Sequence, residues 1–137
     1  MTEQQHFIHH PEEFSIELQS KENTPLPTEQ PLNLKLVCNS TIPFSSGESI
    51  GINLPEVSNE VEVLGIVDWC TTTNSGYELG IQFSDSDALM RIRMLEQLCF
   101  IKRYRTYVLN KEGRDISDQD AALEWIAKYA NLFPTAG

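Results

Sequence analysis

The chain has 137 residues, 40% apolar and 22% charged, with a formal net charge of −10. That length supports one domain around one core, and the acidic balance disfavours nonspecific nucleic-acid binding, because like charge repels the phosphate backbone. No run of about 18 apolar residues occurs, so no helix is expected to span a membrane, and MTEQQHFIHH lacks the cationic start and apolar stretch of a secretory leader.

In chain order, the first feature is HFIHHPEE, which holds all three histidines, His6, His9 and His10. Pro11 biases His10 toward extended geometry, which works against the helix that would align His6 with His10 as metal ligands. These side chains are expected on the surface of a mobile N-terminal arm, with Phe7 or Ile8 packed on the body. A metal-binding or pH-switched module built on the three histidines is the weakest of the readings, and no metal site is expected. Phe14, Ile16 and Leu18 alternate with polar residues, a strand signal. KENTPLPTEQP reads as a loop, and residues 32–38 alternate again through Leu32, Leu34, Leu36 and Cys38. FSSGES turns the chain, and Ile50, Ile52 and Leu54 mark a third strand ending at Pro55. VEVLGIVDWCTTT, rich in β-branched and aromatic residues, is the strongest strand signal. After TNSG, Tyr77, Leu79, Ile81 and Phe83 alternate in GYELGIQF. Short strands at this spacing predict an antiparallel sandwich or small barrel.

The pattern changes at Ser84. SDSD supplies helix N-caps with negative charge at the positive end of the helix dipole. From Ala88 to about Asn110 there is no Gly or Pro; Ile92, Leu95 and Cys99 form one apolar stripe, with Met94, Leu98, Ile101 and Val108 beside it. Gly113 is a natural stop. A second helix is expected from about Ser117, which with Asp120 resembles a capping box. Its predicted buried face is Ala122, Leu123, Ile126 and Ala130, with Trp125 and Tyr129 along the edge, and Pro134 closes it.

Cys38, Cys70 and Cys99 form no C-x-x-C pair, so they read as small buried side chains, reduced as in a cytoplasm. Asp68 reads as a solvent-facing strand residue. The chain has no G-x-S-x-G and no G-x-x-x-x-G-K-[ST], so neither a nucleophile elbow nor a phosphate loop is present and no catalysis is expected. Charge is unevenly distributed: between Arg91 and Arg114 seven cations face two carboxylates, a net of +5 on an otherwise acidic chain. Arg91, Arg93, Lys102, Arg103 and Arg105 are therefore candidate docking residues for an acidic protein partner, against the plainer reading that they pair with the chain's own carboxylates. The broad apolar helix faces also make a homo-oligomer a possibility.

The run PFSSGESIGINLPEVSNEVEVLGIVDWCTTTNSGYELGIQF resembles the centre of PilZ domains, through Gly47, Gly65, Val67, Trp69, Gly76, Tyr77, Gly80, Ile81 and Phe83 in order and spacing. The helical tail, RMLEQLCFIKRYR and AALEWIAKYANLFP, looks like the extension of a subgroup of short proteobacterial PilZ proteins. The resemblance implies a mainly β fold, a small antiparallel six-stranded barrel over residues 6–84, followed by two C-terminal helices over 85–134, all in one domain. It also implies a role in second-messenger, motility or pilus pathways, since many members are cyclic di-GMP receptors. Members that bind the nucleotide carry R-x-x-x-R before the first strand and [D/N]-x-S-x-x-G at the next. The corresponding positions here are Gln5 and His9, then Gln30, Leu32 and Lys35, and none matches. Arginines stack on guanines and pair bidentately with phosphate. Losing two such charge-assisted contacts costs about 3–6 kcal/mol, or roughly 10²–10⁴ in affinity. The expectation is a noncatalytic adaptor without a cofactor, with cyclic di-GMP a possible but not favoured ligand. The runner-up is a receptor using displaced residues, such as arginines of the 91–105 helix.

Overall fold

The computed structural model describes residues 6–21, 33–58, 62–83 and 85–134. Six strands, β1 (His6–His9), β2 (Glu17–Ser20), β3 (Leu34–Ser40), β4 (Ser49–Asn53), β5 (Val63–Thr73) and β6 (Gly76–Gln82), form one sheet in the order β1-β3-β6-β5-β4-β2. Two helices follow, α1 (Ser86–Glu112) and α2 (Asp118–Tyr129), and a 3₁₀ turn at Ala130–Leu132 ends the described chain near Pro134. The mainly β architecture with two C-terminal helices is as expected.

Two details of the expected barrel are corrected. Strand β1 pairs with β3 in parallel, His6 opposite Leu34 and His9 opposite Val37, while the other four pairings are antiparallel. Among the described residues β1 and β2 remain the two edges of the sheet, with no pairing between them. Both follow from the connection after β1. The chain turns at Pro11, with Phe14 N–H donating to the Pro11 carbonyl at 3.1 Å, and leaves for the opposite edge, where β2 pairs with β4. Helix α1 covers the core that the open sheet exposes. Its buried stripe of Leu89, Ile92, Leu95 and Cys99 shares one hydrophobic cluster with Leu36, Ile50, Ile52, Val67, Leu79, Ile81 and Phe83.

The period-two alternation carries through. Leu34, Leu36 and Cys38 of β3, Ile50 and Ile52, and Leu79 and Ile81 are each at most 3% exposed and face the core. Phe14, Ile16 and Leu18 also pack against it, although only from Glu17 onward does that segment join the ladder. The N-terminal arm is a correction: HFIH is a paired strand, with Ile8 in the core. Alternation breaks once, in β5. Val67 lies opposite Ile81, but Trp69 lies opposite Gly80, so Asp68 is an extra residue in a β-bulge. The bulge turns Asp68 and Trp69 toward the face that carries Lys35. Gly80 permits this, since a Cβ there would sit 2.2 Å from the Trp69 ring.

Helix α1 is capped by the Asp85 side chain, which accepts from the Asp87 N–H, and ends at Gly113, whose φ of 68° suits a residue without Cβ. Ser117 caps α2 by accepting from the Asp120 N–H. The predicted helix faces are partly corrected. Met94 and Leu98 are exposed, as are Leu123 and Ile126, whereas Ala121 and Trp125 are the buried residues of α2. Helix α2 docks on the C-terminal half of α1 through Trp125, so its buried stripe is turned relative to the expected one. Phe100, Trp125 and Phe133 meet there with ring centroids 5.6–6.5 Å apart.

Candidate functional site

Of the positions taken from the nucleotide motifs, Gln5, Gln30 and Leu32 lie outside the described residues, and His9 and Lys35 lie within them. Those two are on adjacent strands, two register positions apart, since Phe7 pairs with Lys35 and His9 with Val37. Lys35 is a strand-interior residue on the outer face, yet only 9% exposed. Its ammonium donates to the Asp68 carboxylate at 2.5 Å and stands 5.8 Å from the centroid of the Trp69 ring. Phe7 packs edge-on against the same ring. The bulge therefore makes a small closed patch of Phe7, Lys35, Asp68 and Trp69, in which the lysine charge is already paired. Asp68 faces outward as alternation suggests, but it is a partner of Lys35 rather than a free solvated acid.

The other side of Phe7 and His9 opens into a groove of about 560 Å³ between β1 and the two helices. Aromatic side chains dominate its wall, including Phe100, Tyr104, Tyr107, Trp125 and Tyr129, and Arg103 is the cation that lines it. Tyr107 and Tyr129 are exposed. The helix pair that forms one wall is tied by a polar network: Tyr104 O–H donates to Glu124 at 2.8 Å, Lys128 donates to the Tyr104 oxygen at 2.9 Å, and Arg114 grips both Glu124 oxygens at 2.8 and 3.1 Å. The Arg114 guanidinium, with the Tyr104 hydroxyl second, lowers the Glu124 carboxyl to about 2.

The five docking candidates do not form one face. Arg103 pairs with Glu13 at 3.1 Å, joining α1 to the segment after β1. Arg105 bridges to Asp118 at 2.7 Å and Asp115 at 3.8 Å. Arg93 donates to the Pro134 carbonyl at 2.8 Å and lies over the Phe133 ring. Arg91 lines a separate cavity with Glu62, Asp85 and Asp87, and Lys102 is exposed.

A second cluster was not foreseen. His10 is buried where β1 ends, and its Nε2–H donates to the Phe14 carbonyl at 2.8 Å. Its Nδ1 meets Glu96 Oε2 of α1 at 2.6 Å, and Glu96 is fully buried. Cys99, one helical turn on, is equally buried, and the donor atoms of the three residues all lie within 4.8 Å of one another. Burial pulls the His10 pKa down, but the hydrogen bond and charge of Glu96 and the Phe14 carbonyl outweigh it, so the net direction is up from 6.5. Burial, with Glu96 adding to it, pushes the Cys99 thiol up to about 12. Cys38 is also buried and Cys70 half-buried, and all three thiols are free. The available signal for this cluster was Glu96 itself, a carboxylate four residues after Ile92 and three before Cys99, inside the apolar stripe.

Compared with known proteins, the chain matches no family model, no curated protein and no solved structure. Among the described residues, no helix is long and apolar enough to cross a membrane.

Proposed function

We propose that the chain is a noncatalytic, PilZ-like adaptor or regulator of a bacterial cytoplasm, acting through protein contacts in a second-messenger, motility or pilus pathway. Cyclic di-GMP binding by the usual mode is weak or absent. The observation that carries this reading is the state of Lys35. It is a cation at a nucleotide-motif position, and its charge is held by Asp68 and covered by Trp69. A phosphate would have to displace that carboxylate, and a lysine supplies a point charge rather than the planar fork that grips a guanine or phosphate twice. The aromatic groove beside it suits an acidic, partly apolar protein segment. Aromatic walls anchor apolar side chains, and Arg103 supplies the attracting charge. Isothermal titration with cyclic di-GMP tests the first half: affinity in the micromolar range or tighter overturns it. Pull-down with the wild-type chain and with Arg103→Glu/Arg105→Glu tests the second, and an unchanged set of partners removes the docking role of these arginines.

One observation favours the runner-up. Arg103 of α1 and His9 line the same groove, with tyrosine rings on which a base could stack. If that receptor reading holds, cyclic di-GMP binds tightly to the wild type and Arg103→Ala weakens it by at least tenfold.

A further inference from the structure

We propose that His10, Glu96 and Cys99 form a buried site for one divalent transition-metal ion, with zinc the best fit to their nitrogen, oxygen and sulfur donors. Four features of the geometry lead there. First, the His10 ring is oriented as a metal ligand: Nε2–H is committed to the Phe14 carbonyl, which leaves Nδ1 directed at Glu96 and Cys99. Second, Glu96 is fully buried and its Oε1 has no hydrogen-bond partner, although its Oε2 does. A wholly buried carboxylate oxygen without a partner is costly, and an ion among these donors would satisfy it.

Third, the donor set matches the ion's charge: a carboxylate and a thiolate beside a neutral imidazole carry −2 against the +2 of zinc, so the filled site places no net charge in its apolar surroundings. The 2.6 Å contact between Nδ1 and Oε2 must open slightly on binding so that both donors face the ion. Fourth, a cavity of about 270 Å³ adjoins one of the donor residues: His10 lines it with Glu12, Phe14, Ile16, Asn39 and Ser75. The site would join the end of β1 to the middle of α1 and so fasten the sheet edge to the helix.

The test uses cobalt(II) and zinc chloride on the full chain, reduced and stripped with a chelator. One equivalent of cobalt should give a thiolate-to-cobalt charge-transfer band. Cys99→Ala should abolish it, whereas Cys70→Ala and His6→Asn/His9→Asn keep it. Zinc should bleach the band, release protons, and raise the melting temperature by about 8–13 °C at 100 times its dissociation constant. No band, or a band that survives Cys99→Ala, overturns the proposal and leaves His10 and Glu96 as a hydrogen-bonded pair only. Should Cys99→Ala fail to fold, zinc-edge X-ray absorption of the wild type decides. One sulfur at about 2.3 Å with nitrogen or oxygen at about 2.0–2.1 Å supports the site. A shell without sulfur places the metal on surface histidines and overturns it.

Discussion

Removing one member of the His10–Glu96 pair, in metal-free buffer, should cost more than removing both, and most when His10 is the one removed. Glu96→Leu fills most of the vacated volume and leaves a neutral imidazole that still donates to Phe14. Its Nδ1 then lacks a partner in the core, a penalty of about 1–3 kcal/mol. His10→Leu is worse: Glu96 is fully buried and would have neither oxygen partnered. Breaking a buried pair in this way costs about 3–5 kcal/mol. The double variant has no polar group to strand except the Phe14 carbonyl, and replacement of buried pairs by apolar residues is often close to neutral, so it should lie within about 1.5 kcal/mol of wild type. The coupling energy from the cycle is therefore about 3 kcal/mol or more. Urea unfolding at pH 7 with a chelator present measures it, supported by melting temperatures at ~3–5 °C per kcal/mol for a chain of this size. A coupling below about 0.5 kcal/mol would refute the reasoning, because the two side chains would then contribute independently.

Three further outcomes are expected. Gly80→Ala drives a Cβ into the Trp69 ring, displacing it from Phe7 and Lys35; the expected loss is about 1–3 kcal/mol. Trp69 emission should shift in a Trp125→Phe background, and Trp69→Val should recover part of the stability. Glu124 has a folded pKa of about 2, below its ordinary 4.5, so its contribution is present above about pH 4.5 and lost as pH falls through about 2. Glu124→Gln should flatten that part of the acid unfolding curve, and by less in high salt, since the group is partly exposed. Asp68→Asn frees the Lys35 ammonium; if Lys35 is silent only because it is paired, cyclic di-GMP affinity by titration should rise by about tenfold or more. No rise would mean that the missing arginines alone decide the matter.

Much of the fold was legible because one face of each strand must leave water. Period two in residues 34–38, 50–54 and 77–83 marks core positions wherever the partner strands lie, and the structure buries those residues except Tyr77, which is half-buried. Helix limits were legible for a local reason as well, since Asp85, Gly113 and Ser117 satisfy backbone groups within a few residues of themselves. The candidate sites were legible only in part. The basic character of residues 91–114 is a matter of residue type and shows in the letters.

What the sequence by itself determined is therefore a mainly β chain with two capped helices and a basic segment over residues 91–114. The tertiary structure alone decided the rest. HFIH became a strand because β3 offered a free edge, and Trp69 joined Asp68 beside Lys35 because one extra residue in β5 brought it to that face. Glu96 became a buried ligand of His10 because 86 residues of chain folded back to bring them together. Such contacts depend on which elements become neighbours, and a local pattern holds no record of that. The strands and caps needed only their own neighbours along the chain, whereas the paired lysine and the histidine–carboxylate–thiol cluster needed the whole sheet and its covering helix in place.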